Sequence, residues 1–376
     1  MKPFSLALVA PHGEGALRSR LGETTALGFG GAEIQMALLG TGLAARGHRI
    51  SFLCTGRQQE VQQETLGSIR LIRLPLGGVL GQTPAAGIQG WLQRGLDAAQ
   101  ANIVYQRCAL PLTGRLAWAC ARTGRSFIYA VANDRDVDGR IRQVLGMPRY
   151  LMYRYGFNRA DLVVVQSRHQ LNLLSARRRR RSLLLSSVFD LEGVEPATTK
   201  GIPQVIWVGN ILAKKRPEKL LSLARDLPGV KFVVAGSATA NHELGTEFTR
   251  QAALLGNLDY VGQVPHARMG ELYQGASILL NTSSAEGMPN TFLEAWARGV
   301  PVATLGVDPD GLVSRGKLGT LLDQANPARS LESLLADDQK RDEMGLRGRE
   351  YVMKTHALPP VLDRFEEELA SLGDDS

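Results

Sequence analysis

Two glutamates, Glu286 and Glu294, are separated by seven residues in the segment Ser-Ala-Glu-Gly-Met-Pro-Asn-Thr-Phe-Leu-Glu-Ala-Trp-Ala-Arg-Gly-Val-Pro-Val, which spans positions 284–302. A carboxylate suits a pair of vicinal hydroxyls, because each of its oxygens accepts hydrogen bonds. The pattern predicts a loop that contains Glu286 and then a helix at 291–298 that Asn290 caps. The backbone amides at such a helix start form a site for a diphosphate. These features predict binding of a sugar, a ribose and a diphosphate.

A second cluster of candidate residues lies in Trp207-Val-Gly-Asn-Ile-Leu-Ala-Lys-Lys-Arg-Pro-Glu218, where three cations follow a predicted strand. Ligands of open α/β sheets gather where parallel strands end. We therefore interpret this basic loop as a phosphate-binding loop, with a solvated basic turn as the alternative interpretation.

The first segment resembles the hallmark of family 4 of the glycosyltransferases, retaining enzymes with the GT-B fold. That hallmark is Glu, seven residues and Glu, in a setting like Glu-Gly-(Phe/Met)-Pro-Asn-Thr-Phe-Leu-Glu-Ala. The resemblance implies that Glu286 contacts the donor sugar hydroxyls and acts in catalysis, and that Glu294 binds the ribose of the nucleotide. It also implies that the sugar and diphosphate are held by the residues between them, Gly287, Met288, Pro289 and Asn290.

The resemblance extends to three further segments. Lys215 stands where the family has its diphosphate-binding lysine, and Asn210 stands where the family usually has an arginine. Gly31 belongs to a Gly-Phe-Gly-Gly-Ala-Glu segment, which is similar to the family's glycine-rich loop near the donor phosphates and the acceptor. Gln263 and Val264 lie in a segment similar to one that holds the diphosphate and base, although an ordinary strand-to-loop transition is the alternative.

One feature common in the family is missing from the first half of the sequence. Many members carry a His-Asp pair at the end of a strand that faces the reaction centre. Here the predicted strand 127–131 is followed by Ala-Asn-Asp-Arg-Asp, without histidine. Asn133 or Asp134 is therefore the candidate catalytic side chain in this half.

Apolar strand-like runs alternate with amphipathic helix-like runs over the 376 residues, which predicts an α/β protein of two domains. Strands are predicted at 4–10, 50–54, 69–74, 103–106, 127–131, 162–166, 203–208, 230–235, 258–261, 278–281 and 300–304. Helices are predicted at 32–46, 218–226, 291–298, 331–335, 339–355 and 361–372.

The family resemblance implies two Rossmann-like, doubly wound domains that face each other across a cleft. We expect an acceptor-side domain at 1–187 and a nucleotide-sugar-binding domain at 188–356. The last helix, within 357–376, is expected to return to the first domain.

Charge is distributed unevenly between the two halves. Residues 1–187 contain 25 Lys and Arg against 10 Asp and Glu, whereas residues 188–376 contain 19 against 26. Five consecutive arginines at 177–181 precede the leucines 183–185. This pattern predicts weak binding to an anionic membrane surface, with a solvated arginine helix as the alternative. A nucleic-acid or polyanion binder is a rival interpretation, but the nearby aromatic residues have the helical spacing of core residues.

Composition limits the remaining possibilities. No apolar run approaches the ~18 residues that span a bilayer, so a soluble or peripheral protein is expected. We expect it in the cytoplasm, either free or peripheral at the inner membrane face. The three cysteines, Cys54, Cys108 and Cys120, are read as buried reduced thiols.

The expected partners are a nucleoside diphosphate sugar and a sugar or lipid-linked sugar acceptor, without nucleic acid. No metal or cofactor is expected, because Lys215 and helix amides would meet the phosphate charge. Another GT-B enzyme, a sugar-nucleotide epimerase or a phosphorylase, is the alternative.

Overall fold

The computed structural model describes residues 3–23, 30–76, 85–175, 181–198, 203–239, 241–265 and 268–374. The chain divides into two compact units. The first comprises Met1–Val188 and Leu358–Ser376, and the second comprises Phe189–Ala357. The sequence interpretations of Gly28 and of the arginines 177–180 concern positions outside the described residues.

The first unit is built on a mixed sheet. Within the described residues its strands are β1 (Ser5–Val9), β2 (Arg49–Thr55), β3 (Gln62–Leu66), β4 (Ile69–Leu74), β5 (Ile103–Arg107), β6 (Ser126–Ala130), β7 (Leu162–Val165) and β8 (Ser182–Leu184). Their order is β3-β4-β2-β1-β5-β6-β7-β8. The strand pairs are parallel except at one edge, where β3 pairs antiparallel with β4. Gly67 makes this tight connection, with a φ of 57° that glycine adopts without strain.

Helices cover both faces of this sheet. They are α1 (Glu14–Arg20), α2 (Gly31–Ala45), α3 (Ala85–Ala99), α4 (Thr113–Thr123), α5 (Arg135–Asp138), α6 (Ile141–Leu145), α7 (Met147–Arg159) and α8 (Arg168–Ser175). Successive strand residues point to opposite faces, so Leu6 and Leu8 of β1 enter one apolar cluster and Ala7 and Val9 enter the other. The strands are therefore buried on both sides, which explains their continuous apolar sequences.

The second unit is built on a wholly parallel sheet. Its strands within the described residues are β9 (Gln204–Val208), β10 (Lys231–Ala235), β11 (Leu258–Gly262), β12 (Ile278–Asn281), β13 (Val302–Thr304) and β14 (Gly319–Leu321). Its helices are α9 (Pro217–Asp226), α10 (His242–Ala252), α11 (Met269–Gln274), α12 (Asn290–Ala297), α13 (Pro327–Leu335) and α14 (Asp338–Thr355). The strand order is β11-β10-β9-β12-β13-β14, the doubly wound order of dinucleotide-binding sheets.

The final helix, α15 (Leu358–Asp374), belongs to the first unit. Phe365 of α15 is fully buried in a core cluster of that unit. At its exposed side, Arg46 donates hydrogen bonds of 2.7 Å to both Asp363 and Glu366. The His48 Nε2 atom lies 2.7 Å from the same Glu366 carboxylate. Apolar burial and these polar contacts together fix α15 against α2 and its following loop.

Candidate functional site

The sheet of the second unit has its topological switch point between β9 and β12. These two strands are parallel neighbours, with Val205 opposite Ile278 and Ile206 opposite Leu279. Their carboxyl ends therefore lie side by side, and the chain leaves them in opposite directions along the sheet. Open α/β sheets bind ligands in the crevice at such a point. The loop after β9 contains Lys215, and the loop after β12 contains Glu286.

Arg216 ties these two loops together. Its backbone is left-handed, with φ 49° and ψ 58°, immediately before α9. Its guanidinium donates to three backbone carbonyls, those of Thr282 (2.5 Å), Ser283 (3.0 Å) and Leu305 (3.3 Å). All three acceptors follow strands β12 and β13. The side chain is thus committed to fixing the edge of the sheet, so it is a positioning residue for whatever binds there.

Lys215 and Glu286 meet at this edge. The Lys215 Nζ atom lies 2.5 Å from Glu286 Oε1, although the residues are 71 positions apart in the sequence. Both side chains are partly buried. The backbone of Lys215 is held as well, because the Thr282 hydroxyl donates to its carbonyl over 2.5 Å. The fold therefore brings together a cation and a carboxylate that the sequence analysis selected independently.

The helix that follows Glu286 begins differently from the prediction. Pro289 is the residue before α12, and Asn290 is already its first helical residue, so the prediction that Asn290 caps the helix is wrong. Pro289 makes no side-chain capping bond to this helix start. Met288 and Pro289 are buried, and Met288 packs into an apolar cluster of the unit, whereas Gly287 and Asn290 are partly exposed. The loop is thus anchored by Met288 and presents polar backbone on either side of it.

Glu294 lies inside α12 and is only 7% exposed. The hydroxyl of Tyr273, on α11, donates a 2.8 Å hydrogen bond to its Oε2 atom. Burial, and then the nearby Glu294 carboxylate, raise the pKa of Tyr273 well above its usual value, so the phenol remains a donor. The Arg298 guanidinium lies 5.4 Å from the centre of the Tyr273 ring and donates to the Glu294 carbonyl. The sequence analysis assigned no role to Tyr273 or to Arg298, although Arg298 lies in the segment 284–302.

Asn210, Gln263 and Val264 lie along the same edge. The Asn210 Oδ1 atom accepts a 3.3 Å hydrogen bond from the amide of Ser237, which follows β10. Between them the chain passes very close, since a Cβ on Gly236 would lie 1.9 Å from the carbonyl oxygen of Gly209. Gln263 and Val264 follow β11, two strands from β9, and both are partly buried.

In the first unit, Asn133 and Asp134 follow β6. Each has a local partner: Asn133 Oδ1 accepts from the Arg135 amide (3.1 Å), and Asp134 Oδ1 accepts from Gln170 (3.0 Å). Sequence reasoning passed over Asp136, whose buried carboxylate accepts from the Ala132 and Asn133 amides. Burial raises the pKa of Asp136 to about 6. The sequence feature that could have identified Asp136 is its position just beyond a buried strand.

Gly31 is the first residue of α2 in the first unit. The preceding Gly30 donates its amide to the Glu33 side chain over 3.1 Å, so Glu33 satisfies the start of its own helix. Gly28, at the beginning of the same sequence segment, lies outside the described residues.

Two family profiles match the chain, one in each unit. "Glycosyl transferase 4-like domain" matches residues 30–184, and "Glycosyl transferases group 1" matches residues 194–351. The second match includes Lys215, Glu286 and Glu294. The chain belongs to the family 4-type glycosyltransferases. The two matches lie on the two units of the fold, with the switch-point site inside the second match.

The sequence matches to known relatives cover only part of each relative and part of this glycosyltransferase. The lipopolysaccharide core biosynthesis glycosyltransferase LpsE of Rhizobium meliloti is 25% identical over 181 residues, which are 46% of this chain and 52% of that protein. D-inositol 3-phosphate glycosyltransferase of Corynebacterium diphtheriae is 29% identical over 161 residues, 39% of this chain and 37% of that protein. The match thus spans about half of the first relative and about a third of the second.

Solved structures show the fold of the glycosyltransferase over its whole length. Sucrose-phosphate synthase from Thermosynechococcus elongatus superposes with a TM-score of 0.80 at 21% identity, covering 99% of this chain and 100% of that one. The GT-B fold expected from the sequence is therefore confirmed.

Proposed function

We propose that this glycosyltransferase moves a hexosyl group from a nucleoside diphosphate sugar to an acceptor hydroxyl, with retention of configuration at the anomeric carbon. The observation that carries the proposal is the 2.5 Å contact between Lys215 and Glu286 at the switch point of the second sheet. A phosphate-binding cation and a sugar-binding carboxylate must be adjacent in a donor site, because the sugar is bonded directly to the diphosphate.

Each side chain at this edge has a proposed role toward the donor. Lys215 binds the diphosphate, and Glu286 binds the sugar hydroxyls and acts at the reaction centre. The backbone from Gly287 to Asn290 supplies amide dipoles at the start of α12. Glu294 accepts hydrogen bonds from the ribose with the carboxylate oxygen that Tyr273 does not engage.

Three further residues have subsidiary proposed roles. Asn210 is proposed to shape the diphosphate pocket through the Ser237 amide and not to neutralise phosphate charge, because its amide side chain is uncharged. Gln263 and Val264 are proposed to lie beside the base, since they follow a strand at the far end of the same edge. Gly31 is proposed to let the backbone of the first unit approach the donor or acceptor closely.

The proposed reaction needs no metal ion. The diphosphate that leaves develops negative charge, and the Lys215 ammonium with the positive end of α12 supplies fixed positive charge there. Retention is supported by the Glu286-to-Glu294 spacing, which the retaining family shares. In the first unit, Asn133 or Asp134 is proposed to act on the acceptor side of the reaction.

The acceptor is proposed to be a sugar or lipid-linked sugar used in surface polysaccharide or glycoconjugate synthesis at the cytoplasmic face of the inner membrane. The name of the Rhizobium meliloti relative, which refers to lipopolysaccharide core biosynthesis, supports this class of product. The basic first half of the sequence also favours an anionic surface.

The donor is tested by thermal shift with a panel of nucleoside diphosphate sugars, because a ligand that binds the folded state raises the melting temperature. We expect one donor to raise it more than its free nucleoside does. Hydrolysis of that donor without acceptor, measured with and without EDTA, then tests turnover and metal independence. No shift with any nucleoside diphosphate or its sugar would contradict the donor proposal, and loss of turnover in EDTA would contradict metal independence.

A further inference from the structure

A patch of large apolar side chains is exposed on α6 and α7 of the first unit. Val144 is 60% exposed, Leu151 57% and Met147 50%, and all three lie within eight consecutive positions. Met152 and Trp118, on the adjacent α7 and α4, are also exposed. We call these five residues the α6–α7 patch. Single exposed apolar residues need no explanation, whereas a contiguous group marks a surface that another molecule covers.

Helix α7 is apolar on two sides, which core packing alone does not explain. Its inner side consists of Tyr153, Gly156 and Phe157, all buried against the core and α4. Met147, Leu151 and Tyr155 recur every four residues and therefore share another side of the helix. An ordinary surface helix would carry polar residues on that side.

Arginine predominates among the charged residues along the α6–α7 patch. Positions 139–160 contain five arginines and no aspartate or glutamate; Arg140, near the start of this range, donates to Asp138 over 2.5 Å. Two of these arginines lie over aromatic rings at the patch margin, Arg154 over Tyr150 at 5.9 Å and Arg159 over Tyr155 at 5.5 Å. An apolar strip with an arginine-rich margin is the composition of helices that lie in the interface of anionic membranes.

We infer that the α6–α7 patch is a docking surface for an anionic lipid bilayer, with Met147 and Leu151 entering the headgroup–acyl boundary and the arginines contacting lipid phosphates. The charge of the margin favours this occupant, because a two-fold contact with a second copy of the chain would place arginines against arginines. The inference adds a membrane-binding surface to the proposed function, which includes an acceptor at the membrane. It rests on that proposal only for the biological purpose of membrane binding. No helix among the described residues is both long and apolar enough to cross a bilayer.

The surface inferred here differs from the arginine run selected in the sequence. Arg181 donates to Glu368 over 2.6 Å and also contacts Ser371, both on α15. That guanidinium is therefore engaged within the first unit, and the other four arginines of the run lie outside the described residues. The α6–α7 patch consists of described residues throughout.

The test is sedimentation of the full chain with vesicles of phosphatidylcholine alone or mixed with phosphatidylglycerol, at low and high salt. We expect binding to the mixed vesicles that salt weakens. Replacing Met147 and Leu151 with Gln should reduce the partition coefficient about tenfold per side chain. The matched control replaces Leu254 and Leu346, which are exposed on the second unit, with Gln and should bind as wild type.

Charge is tested separately with Arg149→Gln combined with Arg154→Gln, which should reduce binding roughly 25-fold if each arginine contributes about fivefold at an anionic surface. The charge-matched control is Arg57→Gln with Arg329→Gln, at exposed positions elsewhere. Every variant should keep the wild-type thermal shift with the donor, which shows that it is folded and separates this test from that of the proposed function.

Three results would overturn the inference. The first is absence of wild-type binding to the mixed vesicles at low salt. The second is binding that the Met147 and Leu151 replacements leave unchanged. The third is self-association in vesicle-free sedimentation that those replacements abolish, because it would assign the patch to a second copy of the chain.

Discussion

Replacing Tyr273 with Phe removes one hydroxyl that bonds Glu294 and leaves the ring in place. The hydroxyl donates over 2.8 Å to Oε2 of a carboxylate that is 7% exposed, and Tyr273 itself is fully buried. The hydrogen bond holds one carboxylate oxygen, so that the other is oriented for the proposed ribose contact. Without it the carboxylate can rotate, and donor binding must order it again.

A hydrogen bond to a charged group contributes about 1.5–3 kcal/mol, equivalent to roughly 10- to 150-fold in an equilibrium constant. We expect the lower end for donor affinity, because bound ribose replaces part of the lost interaction. Tyr273→Phe should therefore raise the KM for the donor about tenfold. Its kcat should change little, since a contact to ribose is equally strong in ground and transition states.

The assay is calorimetric titration of the nucleoside diphosphate and of its 2′,3′-dideoxy analogue into wild type and Tyr273→Phe. The mutation should weaken the ribose ligand and leave the dideoxy ligand almost unaffected. Tyr351→Phe is the matched control, because its hydroxyl contacts His356 elsewhere in the same unit. Equal weakening of both ligands, or no change in either, would refute the proposed link from Tyr273 through Glu294 to ribose.

Three further predictions concern single side chains. Glu294→Ala should weaken donor binding and turnover without unfolding the protein, and wild-type affinity and rate in this variant would contradict its assignment. Lys215→Ala should weaken the nucleoside diphosphate far more than the free nucleoside in calorimetry, whereas Lys214→Ala should not; equal losses of both ligands would place Lys215 away from the diphosphate. Asp136 has a pKa raised from 3.8 to about 6, so the folded state binds its proton more tightly than the unfolded chain. Its contribution to the unfolding free energy should therefore fall by about 3 kcal/mol as the pH rises from about 4 to 6. In urea unfolding at several pH values, Asp136→Asn should lack this part of the dependence of the unfolding free energy on pH.

Buried parallel strands were predicted well from the sequence. β4 and β12 have the predicted bounds, and the other predicted strands differ by one or two residues at an end. Such strands are apolar on both faces, so burial leaves a continuous signature. β3 was missed because Gln62, Gln63 and Glu64 are polar and largely exposed at the edge of the sheet. An edge strand is held by backbone pairing, which its side chains do not reveal.

The site was predictable only where a local motif exists. Glu286 and Glu294 stand in one segment; the position of the basic loop after a strand indicated a phosphate site, and the family resemblance selected Lys215 within it. Tyr273, which holds Glu294, comes from another segment, and the contacts of Arg216 depend on which loops become neighbours. Burial also changes the pKa of a carboxylate, as it does for Asp136, and the sequence alone does not show which carboxylates are buried. In addition, Cys108 was expected to be buried but is only partly buried, unlike the other two cysteines.

The three cations of the loop after β9 make different contacts, and this difference bears on the proposed diphosphate site, where Asn210 supplies no charge. Arg216 is committed to three backbone carbonyls and cannot turn toward a ligand without releasing the edge of the sheet. Lys214 is exposed, whereas Lys215 is partly buried against Glu286. Lys215 is therefore the cation of this loop that we propose to meet the diphosphate, beside Glu286, the carboxylate proposed to bind the sugar. Because Asn210 supplies no charge, replacing Lys215 should remove most of the side-chain positive charge that this loop offers the donor, leaving the start of α12 as the remaining positive element.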